Sequence, residues 1–149
     1  MHSLKLRQEI VDEPGIASSY SGIGIIYDAL GNTNNALHAY QSSLEISLKL
    51  NDVSGICNSY LSIGNFYYET GKYDEALTNY FNALNISKKL NNRFNIEFCY
   101  EDIGEVLFKQ GKYTEALYYY YEAIKIGKQI NNADGLSGQT HEKLIIFSK

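Results

Sequence analysis

The sequence predicts an all-α chain built from repeated helical hairpins, and two observations carry that prediction. The first is a period. Ile23-Gly24, Ile63-Gly64 and Ile103-Gly104 stand forty residues apart, and Tyr27, Tyr67 and Leu107, then Gly31, Gly71 and Gly111, then Tyr40, Tyr80 and Tyr120 follow in the same register without a gap. A fixed period in this range marks a stacked array, in which each unit buries its apolar face only against its neighbours. The second observation is the spacing inside a unit. Tyr60, Ile63, Gly64 and Tyr67 fall at i, i+3, i+4 and i+7, which is one face of a helix, and Ala76-Leu77, Tyr80 and Ala83-Leu84 trace a second such stripe after Gly71.

Taken in order, residues 1–12 read as the end of a second helix from a preceding repeat, because Leu4, Leu6 and Ile10 align by the period with Leu44, Ile46 and Leu50. Asp12-Glu13-Pro14-Gly15 breaks that helix, and Pro14 is tolerated early in the next. Repeat one, residues 15–53, pairs a helix from about Pro14 to Leu30 with one from about Thr33 to Leu50. Repeat two, residues 54–92, pairs Ser54 to Thr70 with Tyr73 to Leu90, and repeat three, residues 93–132, pairs Arg93 to Gln110 with Tyr113 to Ile130. Residues 135–149 read as a terminal first helix, with Leu144 in the place of the packing glycine. Gly31, Gly71 and Gly111 are expected to end the first helix of each pair in the left-handed cap conformation. Asp74-Glu75 and Thr114-Glu115 open second helices, where acidic side chains meet the positive end of the dipole. A glycine inside a helix costs roughly 0.5–1 kcal/mol relative to alanine. Its return at positions 24, 64 and 104 therefore predicts a close helix crossing that needs the space.

The order Tyr, Ile-Gly, Tyr, Gly-Lys-Tyr, Ala, Tyr, Ala resembles the tetratricopeptide repeat, and the resemblance covers essentially the whole chain. The usual unit is about 34 residues. The extra residues here lengthen the end of the second helix and its loop, Ser87 to Asn92, a variety similar to the repeats of bacterial Rap-type regulators, cell-polarity adaptors and kinesin light chains. The family's proline near the end of the second helix is absent. The resemblance implies a single domain over residues 1–149, a right-handed solenoid of three full repeats with a flanking half-repeat at each end, and protein binding in a concave groove.

Composition narrows the function classes. The chain has 149 residues and a net charge of −4 without a Lys/Arg stripe, which disfavours nucleic acid, since phosphate binding needs clustered positive charge. Neither a basic amphipathic helix, an apolar run able to span a bilayer nor a signal-peptide pattern is present, so no membrane role is expected and the cytoplasm is the expected compartment. Cys57 and Cys99 have no CxxC or Cys/His spacing and read as buried free thiols, not metal ligands. No phosphate loop, GxSxG, HExxH or other catalytic pattern occurs. Neither an enzyme nor a cofactor is expected.

The candidate site lies on the face of the first helices turned away from the hairpin partner, which in tetratricopeptide arrays lines the groove. In repeat two that face carries Asn58, Asn65 and Tyr68, and in repeat three Phe98, Glu101, Asp102, Glu105 and Phe108. The middle of the groove is thus amide and aromatic, and its far end acidic with two phenylalanines. Glu97, Glu101 and Glu105 sit at i, i+4 and i+8, a surface complementary to a basic or amide-rich peptide. The Lys/Asn/Arg pattern by which some family members clamp a peptide carboxylate is missing. In the run Tyr118 to Tyr121, Tyr120 and Tyr121 read as core, and Tyr118 and Tyr119 as an alternative outer binding face. Two functions fit: a scaffold binding a peptide or helical segment in the groove, or a sensory or autoregulatory module of a larger bacterial signalling protein such as a kinase or transcription regulator. The apolar ends, Leu4, Leu6 and Ile10 and Leu144 to Phe147, predict end-to-end self-association unless a longer chain covers them.

Overall fold

The computed structural model describes residues 13–134. Within that span the chain forms six helices: α1 (Glu13–Ala29), α2 (Thr33–Lys49), α3 (Val53–Glu69), α4 (Tyr73–Lys89), α5 (Arg93–Lys109) and α6 (Tyr113–Asp134). No strand occurs among the described residues. The fold class is the all-α helical-hairpin solenoid. The helix read from residues 1–12, the one read from 135–149 and the apolar end residues Leu4, Leu6, Ile10 and Leu144 to Phe147 lie outside the described residues. The first five helices end within a residue of expectation. The sixth runs past Ile130 to Asp134. Asn132 there stands where Asp52 and Asn92 leave the helix to cap the next one, and asparagine is compatible with either setting.

The turns are built alike. After α3, Gly71 sits at φ +77°, its N–H donates to Tyr68 O at 3.1 Å, and Lys72 N–H donates to Tyr67 O at 2.8 Å. These two bonds satisfy carbonyls that a helix end leaves open. The turns after α1 and α5 repeat them around Gly31 and Gly111. After α2 and α4 the left-handed residue is instead Asn51 or Asn91, each at φ 52°, with the same pair of bonds, Asn51 N to Leu48 O and Asp52 N to Ser47 O in the first case. Asparagine is the residue after glycine that tolerates this conformation, because its short side chain bonds locally. The next helix then starts on a side-chain cap: Asp52 Oδ1 accepts from Gly55 N at 3.1 Å and Asn92 Oδ1 from Asn95 N at 3.2 Å. Asn32 caps α2 in the same way.

The chain divides into two compact units, Met1–Asn79 and Tyr80–Lys149, with the boundary inside α4. In the first, α1 packs on α2, α2 on α3, and α3 also reaches α1. Its core joins Ala36, Tyr40, Ile63 and Phe66, flanked by Tyr27, Leu37, Leu44 and Tyr67. Tyr40 meets Phe66 edge-on with centroids 6.2 Å apart, a contact worth about 0.5–1.5 kcal/mol beyond its buried area. The expected crossing is present: a Cβ on Gly24 would stand 2.6 Å from Tyr40 Cε1. Ile63 is buried against α2, the second helix of the preceding hairpin. That explains a departure from expectation, because Ile23 is 42% exposed. No helix preceding α1 is among the described residues to cover it.

In the second unit α5 packs on α6, burying Ile96, Cys99, Tyr100, Ile103, Val106 and Leu107 on one side of α5. A Cβ on Gly104 would lie 3.2 Å from the Tyr120 ring. The tyrosine run differs from its sequence reading in two places. Tyr119, expected outside, packs against Phe81, Tyr100 and Tyr118 at 5.9, 6.0 and 5.1 Å between centroids. Tyr121, expected inside, is exposed. The reason is helical phase: Ala116, Tyr119, Tyr120 and Ala123 follow i, i+3, i+4 and i+7, and Tyr121 falls off that stripe.

Candidate interaction face

Each group of site residues is set by the half of its helix that is not packed. On α5 the buried residues from Ile96 to Leu107 take one side, and Phe98, Glu101, Asp102, Glu105 and Phe108 take the other. Spacings of three, four and seven place these five on one helical stripe. Phe98 is 53% and Phe108 52% exposed, and Glu101 and Glu105 are exposed between them. The Phe108 ring leans on Tyr113, 5.5 Å away, which holds it at the turn into α6. This side of α5 therefore offers two apolar rings with carboxylates between.

Asp102 behaves unlike its neighbours. Its Oδ2 is buried without a hydrogen-bond partner, and burial, then the charges of Glu101 and Glu105, raise its pKa to about 7. Near neutral pH the carboxyl is protonated about half the time, so the negative charge expected of the trio is carried mainly by Glu101 and Glu105. The Tyr120 hydroxyl on α6 is also pushed up, by burial first and then by Glu105, Glu101 and Asp102. Glu97, in the same acidic row, turns to α6: a Cβ on Gly127 would lie 2.7 Å from its Oε1.

The α3 residues share a stripe of their own in the first unit. Asn58 and Asn65 are exposed, and Tyr68 is half-buried with its ring 5.9 Å from Tyr73. The buried side of the same helix is Cys57, Ser59, Ile63, Gly64 and Phe66. Both cysteines are buried thiols outside any disulfide. No helix among the described residues is long and apolar enough to cross a membrane, and no metal-binding cluster occurs among them. Sequence reasoning missed the caps Asn32, Asp52 and Asn92, signalled only by an Asx residue before each helix. It also missed a set of serines on α1, α2 and α3 that converge in space: Ser21 Oγ lies 2.9 Å from Ser43 Oγ, which lies 3.4 Å from Ser59 Oγ. Their spacing in sequence carries no such signal.

Comparison with known proteins agrees with this architecture. A family model described as tetratricopeptide repeat matches residues 55–129, and a second of the same description matches residues 17–49. No curated protein matches the chain. Among solved structures, BtubC (BKLC) from P. vanneervenii is 21% identical with a TM-score of 0.75, covering 86% of this chain and 54% of its own. The TPR domain of Arabidopsis FLU is 20% identical with a TM-score of 0.71, covering 78% of this chain and 98% of its own. The chain thus spans about half the length of BtubC and nearly all of the FLU domain. At these identities the likeness is one of fold.

Proposed function

Because the chain belongs to the tetratricopeptide repeat family, whose repeats are interaction scaffolds and typically not catalysts, we propose that it binds a peptide or helical segment on the exposed side of its first helices. The observation that carries this is the α5 stripe, where Phe98 and Phe108 stand half-exposed with Glu101 and Glu105 between them. Aromatic rings supply large contact area at low entropic cost, and the carboxylates select a basic or amide-rich segment. Asn58, Asn65 and Tyr68 on α3 offer amide and aromatic contacts of the kind that hold a partner backbone. Two buried cysteines outside any disulfide fit a reducing compartment, and the cytoplasm is the proposed setting of the interaction.

The test is a titration of a short amphipathic helical peptide of lysine and leucine, with a glutamate and leucine peptide of the same pattern as control. The lysine peptide should bind, weaken as salt rises, and lose affinity for a Glu101→Lys/Glu105→Lys variant of unchanged helix content. Equal binding of both peptides, or of both proteins, contradicts the assignment.

A further inference from the structure

A cavity of about 210 Å³ opens between α1, α2 and α3, lined by Ala17, Ser18, Ser21, Ser43, Ser47, Asp52, Gly55, Asn58, Ser59 and Ser62. Its polar groups are hydroxyls, one amide and one carboxylate, and no Lys, Arg or His lines it. We propose that it is a pocket for a primary ammonium group, taking the side chain of a lysine in a bound segment. This rests on the interaction reading above and names one contact that reading would use.

Two observations at the inner end carry the proposal. Ser47 is 1% exposed and lines the cavity. A hydroxyl that opens on a cavity is available to a ligand group or water. Beside it stands Asp52. Its Oδ1 takes the Gly55 N–H as the cap of α3, and its Oδ2 has no bond among the described residues. A Cβ on Gly55 would collide with Asp52 Oδ2 and stand 2.7 Å from Ser47 Oγ, so the glycine keeps both atoms open to the cavity.

The chemistry of these groups selects the ligand. An anion would meet a carboxylate with no cation to balance it. A guanidinium prefers two parallel acceptors on one carboxylate, but Asp52 has already committed one oxygen to the cap. An ammonium carries three donors from a single point, matching one carboxylate oxygen, the Ser47 hydroxyl and a further hydroxyl or amide oxygen.

The experiment follows the backbone amide signals of Gly55, Ser59 and Ser62 by NMR in the full chain, titrated with n-butylammonium, 1-butanol and butyrate. Two capped tripeptides, Gly-Lys-Gly and Gly-norleucine-Gly, are titrated alongside. The ammonium and the lysine tripeptide should give saturable shifts centred on Gly55, and the neutral and anionic compounds and the norleucine tripeptide should not. Asp52→Asn should weaken the ammonium at least tenfold while keeping the cap, since Asn92 caps α5 from the corresponding position. Ser47→Ala should weaken it several-fold without loss of stability. Absence of a saturable shift, equal shifts with butanol, or an unchanged response in Asp52→Asn overturns the pocket. Binding of n-butylammonium without the lysine tripeptide overturns the lysine assignment. These readouts lie on α1 to α3, so they fail or succeed independently of the charge reversal on α5.

Discussion

At position 24 a single hydrogen separates a packed crossing from a clash. The Tyr40 ring that a Cβ would meet at 2.6 Å is itself buried and boxed by Phe66, so it has little room to yield. Gly24→Ala should cost about 1–2 kcal/mol in chemical denaturation, overpacking outweighing the gain in helix propensity. At Gly104 the corresponding gap to Tyr120 is 3.2 Å and that ring is only half-buried. Gly104→Ala should therefore be close to neutral, and equal losses in the two variants would show that the spacing does not govern the cost. Asp102 gives a second residue-scale prediction. A carboxyl at about 7 in the folded chain, against an ordinary 3.8, binds its proton more tightly folded than unfolded. Its contribution to stability is then fully present below about pH 4, declines as pH rises toward 7, and is lost above. Asp102→Asn should gain roughly 1–3 kcal/mol at pH 8 and flatten that decline. A variant no more stable than wild type at pH 8 would contradict the buried, unpaired oxygen.

Helix ends follow one plan with two residue types. Gly71→Ala forces a Cβ into φ +77° and should cost about 1–2 kcal/mol. Asn51→Gly, at φ 52°, should change stability by less than about 1 kcal/mol, because either residue adopts that conformation. A thermal or denaturant series on the two variants checks the contrast, and a tolerated Gly71→Ala would contradict it. The glycine turns were legible because glycine after a periodic stripe has few other meanings. Asn51 and Asn91 were not, since asparagine is equally at home in loops, caps and, at Asn131, within a helix. Tyr119 and Tyr121 show the same limit. Four consecutive tyrosines give no contrast by which to read helical phase, and only the packed neighbours Phe81 and Tyr100 fix which ring turns inward. The serine cavity was hidden for a related reason: serine gives no periodic signal, and its members come from three helices.

For the whole chain, the repeat was readable because three copies in register constrain one another, while function had to be read from the residues the repeat does not use. A net charge of −4 without a basic stripe and an α5 side bearing Glu101, Glu105, Phe98 and Phe108 are the features on which the proposed partner, a basic amphipathic segment, rests. Separations beyond about 8 Å are screened at physiological ionic strength, so the salt dependence of such binding reports contact-range charge. The most direct measurement is a map of where the lysine and leucine peptide binds, from backbone amide shifts of the wild-type chain. The account predicts that the largest shifts cluster on α5 from Phe98 to Phe108. Shifts centred instead on the exposed Tyr118 and Tyr121 side of α6, with α5 unmoved, would contradict it.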